Sequence, residues 1–214
     1  MNTASQPGPR PRLGPGMAAL FAAWTLALLL LGWRGTRRGI AGEGLQELWA
    51  LPDFRMTAVT VERETPLGKD DLLGRPWVAN FIYTRCAGPC PLLSAAMAEL
   101  QETLPEQVRL VSFTVDPDHD GPEALRRYAG RFGARGDRWV FLRGDKGPLY
   151  RLMYEGFKLS MAEDPDAPEG FRVTHSTRFV LVDARGVVRG AYDRGEGLDA
   201  LRRDARTLLK GASS

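Results

Sequence analysis

The stretch Trp77-Val78-Ala79-Asn80-Phe81-Ile82-Tyr83-Thr84-Arg85-Cys86-Ala87-Gly88-Pro89-Cys90-Pro91 decides how the rest of the chain is read. Trp77 to Thr84 is almost wholly apolar and reads as a buried strand. Residues 91–104 read as a helix that opens on Pro91, placed where a helix N–H has no partner to lose. Between them stand Cys86 and Cys90, the only 2 cysteines in 214 residues. Residues four apart share a face of a helix, so the two sulfurs can meet, although Gly88 and Pro89 make the piece between them a turn. At the start of a helix, free N–H groups and the helix dipole favour a thiolate over a thiol.

Two thiolates so placed can cycle between dithiol and disulfide, or hold a soft or borderline ion, with Cu(I) and zinc the main candidates. A structural zinc wants four protein ligands, and no third cysteine exists here. A metal on this pair must therefore recruit histidine, carboxylate or solvent. A purely structural disulfide is a poor use of the pair, because so short a loop constrains the unfolded chain little. The chain has 2 histidines, His119 and His175. His119 lies in Asp116-Pro117-Asp118-His119-Asp120-Gly121-Pro122, a carboxylate-rich turn, and reads as a solvated loop residue. His175 lies just before the apolar run Phe179–Val182, where a structural role and a ligand role are both open.

Outward from this centre, strands are expected near Thr57–Glu62, Val108–Val115, Trp139–Leu142, Phe179–Val182 and Val187–Tyr192. Asp183-Ala184-Arg185-Gly186 reads as the turn of a hairpin joining the last two. Helices are expected from Gly121 through Phe132, over Pro148–Tyr154, and from Leu198 to Leu209, the last with Leu201, Ala205, Leu208 and Leu209 as its apolar stripe. Ser160 to Arg172 is polar, acidic and proline-containing, and reads as a mobile loop ahead of His175. A β-α-β unit followed by a hairpin and a closing helix gives an α/β chain with a thioredoxin-like fold, a central mixed β-sheet flanked by helices.

From Leu51 to Leu209 the chain resembles the Sco/SenC family of thioredoxin-fold copper proteins. The matching pieces fall in the family's order. They are Leu51-Pro52-Asp53-Phe54, Asp71-Leu72-Leu73-Gly74-Arg75-Pro76, the segment Phe81 to Pro91 with its C-x-x-x-C-P, then Ser112-Phe113-Thr114-Val115-Asp116-Pro117 and Thr174-His175-Ser176. The histidine falls 85 residues after the second cysteine. One departure stands out: the family usually has proline directly after the first cysteine, where this chain has Ala87. The resemblance implies that Cys86, Cys90 and His175 are the three ligands of one copper ion. That donor set suits Cu(I), and it suits Cu(II) if an oxygen such as that of Asp116 joins.

Ahead of this domain, residues 1–16 carry Pro7, Pro9, Pro11 and Pro15 and read as a disordered tail. Residues 17–33 hold no charged side chain and read as a transmembrane anchor, roughly 25 Å of helix at about 1.5 Å per residue. No small-x-small cleavage site follows, so the segment reads as uncleaved. Residues 34–50 then form a linker and 51–210 the copper-binding domain. Arg34, Arg37 and Arg38 outweigh Arg10 and Arg12 around the anchor, which taken alone puts the domain in the cytoplasm. The resemblance implies the opposite, a domain on the periplasmic, extracytoplasmic side, and that placement is the expectation carried forward.

The net charge of +3 is spread along the sequence with no basic stripe, which excludes the usual footprint of nucleic-acid binding. The resemblance implies a membrane-anchored copper chaperone for the binuclear copper centre of cytochrome c oxidase. Its partners would be the copper-centre subunit and a copper donor protein. The alternative is a thiol–disulfide oxidoreductase in which Cys86 and Cys90 are the catalytic redox pair and reduce a partner's metal-binding cysteines.

Overall fold

A computed structural model describes residues 45–211 apart from 165, 169 and 172; the side chains of residues 137, 161, 163, 174 and 175 are likewise outside the description. The expected tail (1–16), anchor (17–33) and most of the linker therefore lie outside the described residues. Among the described residues, no helix is long and apolar enough to cross a membrane.

In chain order the strands are β1 Trp49–Ala50, β2 Arg55–Val59, β3 Glu64–Gly68 and β4 Trp77–Ile82, followed by helix α1 Cys90–Thr103. Then come β5 Arg109–Thr114, α2 Pro122–Arg131, β6 Trp139–Arg143 and α3 Lys146–Arg151, which runs on into a π-turn at Leu152–Gly156. The chain closes with β7 Met161–Glu163, β8 Val173–His175, β9 Phe179–Val182, β10 Val187–Tyr192 and α4 Glu196–Gly211.

Eight strands form one mixed sheet in the order β1-β10-β9-β4-β5-β6-β2-β3, while β7 and β8 form a separate two-stranded sheet. The three central strands β4, β5 and β6 run parallel, joined through α1 and α2. Every residue of β4, β5 and β9 is buried, and β4 and β9 accordingly read as near-continuous apolar runs in sequence, whereas β5 also buries Arg109, Ser112 and Thr114. On one face of the sheet, Phe81, Phe113 and Phe157 form an aromatic cluster with ring centroids 5.0–5.7 Å apart, and Trp77 stands edge-on to Phe157 at 6.2 Å. On the other, buried Asn80 and Ser112 face each other across the β4–β5 register. Ser112 donates to the Asn80 side-chain oxygen at 2.6 Å and accepts from the Trp139 indole at 2.9 Å.

Three differences from the sequence reading have physical causes. The strand expected at Thr57–Glu62 is shorter and turns back into β3. The Thr60 hydroxyl accepts the Glu62 and Arg63 N–H groups at 3.2 and 3.1 Å, closing a turn that an alternation count does not see. Strand β3 contains Pro66 and lies at the sheet edge, where a missing N–H costs no ladder bond. Residues 45–50, read as the end of a linker, carry β1, which pairs with Val187 and Val188. Arg189 stands at a bulge in β10 that turns its side chain toward Asp183 at 2.8 Å, and it also donates to the carbonyls of Leu45 and Gln46.

The third difference bears on the site. The start of the segment read as a mobile loop forms β7, which pairs with β8 just beyond that segment, Met161 opposite His175. Two strands of three residues each leave too little periodicity to be recognised.

Candidate metal and redox site

The parallel order sets the location. Ligand sites in such sheets gather beyond the carboxyl ends of the strands, and Cys86 lies just beyond the end of β4. Beside it runs the chain leaving β5, since Val115 N–H binds the Ile82 carbonyl at 2.8 Å. The turn after β5 is fastened to the cysteine loop. Asp120, fully buried, accepts Thr84 N–H at 3.0 Å, the Thr84 hydroxyl at 2.6 Å, and the Thr114 hydroxyl. Burial raises the Asp120 carboxyl above the usual carboxylate range, and the two threonines partly offset this.

Cys86 is 9% exposed and Cys90 0%, and no disulfide joins them. Cys90 is the first residue of α1, with Pro89 at the cap and Pro91 in the first turn, as the position of Pro91 in sequence led us to expect. The sulfurs lie within hydrogen-bonding reach of each other. The dipole argument for a thiolate fails at Cys90: the hydrogen bond with Cys86, and then burial, push its thiol well above the ordinary value. Of the two cysteines, the first in sequence is the more exposed.

Asp116, considered from sequence as an oxygen donor, is otherwise engaged. Its two oxygens meet the Arg85 guanidinium at 3.1 Å and the His119 ring at 2.8 Å. His119 itself is half exposed in its loop, as read from sequence. His175 ends β8; its side chain, the third expected ligand, lies outside the described part of the structure. Among the described residues, no three His, Cys, Asp or Glu side chains converge as a closed metal cluster.

Two residues of this site were missed from sequence. Tyr83, 3% exposed, donates its hydroxyl hydrogen to the Gly170 carbonyl. The Val173 backbone and the Cys86 side chain also face that hydroxyl, and burial followed by the bond to Cys86 raises its pKa. Gly170, 87 positions away in sequence, also accepts the Ala87 N–H at 3.2 Å. A hydroxyl at the mouth of a buried strand does demand a partner, yet nothing in the sequence says that this partner is Gly170.

These features define a thioredoxin-like protein with a buried C-x-x-x-C pair at its strand-to-helix turn. Residues 52–210 match the SCO1/SenC family, and the chain belongs to that family. A relative from Stutzerimonas stutzeri, 30% identical over 152 residues that cover 69% of this chain and 72% of that one, is described as a putative copper-binding protein.

The chain is 33% identical over 128 residues to the SCO1 protein homolog of Bacillus subtilis, a match covering 58% of this chain and 65%, just under two thirds, of that relative. The fold superposes on a SCO1/SenC family lipoprotein from Bacillus anthracis with a TM-score of 0.67 at 32% identity, covering 78% of this chain and 99% of that one. It also superposes on BsSco, described as a member of the Sco family of cytochrome c oxidase assembly proteins with a disulfide switch. There the TM-score is 0.64 at 28% identity, covering 78% and 98% of the two chains.

Proposed function

We propose that this protein is a membrane-tethered copper chaperone that binds one copper ion through Cys86, Cys90 and His175 and delivers it to the binuclear copper centre of cytochrome c oxidase. The observation that carries the reading is the juxtaposed sulfur pair at the head of α1, in a chain of the SCO1/SenC family. Two soft sulfurs at one point fit Cu(I) as cargo, and one imidazole completes a three-coordinate set. A site of three ligands at the end of a strand stays open on one side. An incoming thiolate of the partner can then replace the ligands one at a time, so the ion is never released to water.

In this reading residues 17–33 hold the protein at the membrane with the domain on the periplasmic side. A copper donor protein loads the reduced pair, and the copper-centre subunit of the oxidase receives the ion. When empty, the same two sulfurs can exchange with a partner's disulfide, closing as a disulfide while that partner is reduced to its dithiol, which keeps the oxidised molecule from loading.

The test is an anaerobic Cu(I) titration of the reduced protein against a competing chelator, with the His175→Ala variant alongside. One tightly held copper per chain, weakened in the variant, is the expected result. Weak binding that ignores the histidine would leave the cysteine pair to thiol–disulfide exchange instead.

A further inference from the structure

Two donors from the cysteine region converge on a single acceptor in the segment leading to His175. The Tyr83 hydroxyl and the Ala87 N–H both bind the Gly170 carbonyl. The backbone there is shaped for close approach. Gly170 has φ +90°, and a Cβ on it would lie 2.9 Å from the Ala87 Cβ and 3.0 Å from the Arg85 carbonyl. Only glycine combines that dihedral with that contact. Phe171 lies over Gly88, 3.7 Å from where a Cβ would stand. From Gly170 the chain reaches β8 within three residues, and Val173, its first residue, also faces the Tyr83 hydroxyl.

We propose that Tyr83 and Ala87 form a latch on the Gly170 carbonyl that holds the β7–β8 arm against the cysteine loop, making Tyr83 a positioning residue for His175. This rests on the three-ligand reading above. Ala87 is the point where the sequence departs from the usual motif, and the departure has chemical content. A proline at 87 would have no N–H to give, whereas alanine supplies the second donor. The buried tyrosine supplies the first: a phenylalanine would fill the same space and offer the carbonyl nothing. The latch restricts the arm before metal arrives, so less motion is lost when the imidazole closes on copper.

The test uses the reduced, metal-free full chain and its Tyr83→Phe variant, which keeps the ring and therefore the packing. Hydrogen exchange of the amides between Gly170 and His175 is expected to quicken about three- to tenfold, the range set by loss of one hydrogen bond, with the thermal midpoint barely moved. Unchanged exchange overturns the latch.

Copper affinity is then measured in a double-mutant cycle with His175→Ala. Tyr83→Phe should weaken Cu(I) binding about three- to tenfold where His175 is present and leave it unchanged where residue 175 is alanine. Equal weakening in both backgrounds means that Tyr83 acts on the sulfurs and overturns the positioning role. If His175→Ala alone leaves affinity intact, the three-ligand reading falls and the positioning role with it, while faster exchange in Tyr83→Phe still stands as the signature of the latch. Ala87→Pro, which removes the other donor, should quicken exchange in the same amides.

Discussion

The two halves of the proposed site come from regions of opposite character. The cysteines follow β4, a strand buried at all six positions and paired on both sides, by β5 and β9. The histidine ends β8, a three-residue strand that pairs with β7, another of three residues. A metal site built across such a pair has one fixed jaw and one adjustable jaw. Core side chains locate the sulfurs, whereas a handful of local contacts hold the β7–β8 arm. Disturbing the first region should cost the whole fold; disturbing the second should cost function alone.

The largest expected effect is on the fixed side. Phe113→Ala removes the ring that touches Phe81, Phe157, Trp77 and Phe54, and should destabilise the domain by about 3–5 kcal/mol in urea unfolding. A loss below about 1 kcal/mol would mean that the aromatic cluster is not what fixes the sheet.

Next comes the chemistry of that side. Cys90→Ala should weaken Cu(I) binding by more than about a hundredfold, since even outer-shell partners of metal sites commonly cost about ten- to a hundredfold. The check is the chelator competition, and affinity within about tenfold of the parent protein would remove Cys90 from the ligand set.

A smaller and more selective effect is expected on the adjustable side. Gly170→Ala places a methyl group against Ala87 and forces a left-handed dihedral on an L-residue, a strain of about 1–2 kcal/mol. The arm can relieve that strain by lifting away, so copper affinity should fall severalfold while the unfolding midpoint stays within about 2 °C of the parent. A drop in global stability as large as that of Phe113→Ala would erase the distinction between the two regions.

The smallest effect concerns pH. Burial alone would raise the Asp183 carboxyl, but hydrogen bonds from Val187 N–H, Arg189 and Arg185 outweigh it and hold the group below the usual carboxylate range. A carboxyl depressed in the folded state stabilises it above the unfolded value of about 3.9, and this contribution fades as pH falls through the folded value. Buried Asp120 shifts the other way and opposes the trend. The contribution of Asp183 is therefore read as the difference between the parent and Asp183→Asn. That difference should be constant near neutrality and shrink below about pH 4. A difference that persists undiminished at pH 2 would show that the side chain acts through shape and not through charge.

The same division explains what the sequence disclosed. Strands β4 and β9 were legible because burial on both faces leaves mostly apolar runs, β5 because its apolar residues recur along a β-length segment, and α1 because Cys90, Leu93, Met97 and Leu100 recur at helical spacing. The turn Asp183–Gly186 was legible because its residues suit a hairpin, with Gly186 at φ +77°. Short strands and the edge strands were not legible: β1 is two residues long, β3 contains a proline, and β7 and β8 are three residues each. The cysteines announced themselves by spacing. Tyr83 looked like one more apolar strand residue, because the carbonyl that gives its hydroxyl a purpose is supplied by the arm.

The fastening of residues 45–50 to the far edge of the sheet has a mechanical consequence. A pull applied to the chain at Leu45 is met first by Arg189, which grips the carbonyls of Leu45 and Gln46 and is itself anchored on Asp183. Behind that lies β1, a two-residue edge strand that would unzip pair by pair from β10. Strand β1 stands three strand spacings from β4, about 14 Å at the usual separation, and Arg189, on β10, stands two. Tension entering at Leu45 is therefore taken up first at this edge, with β9 and β10 between it and the strand that leads to the cysteine loop.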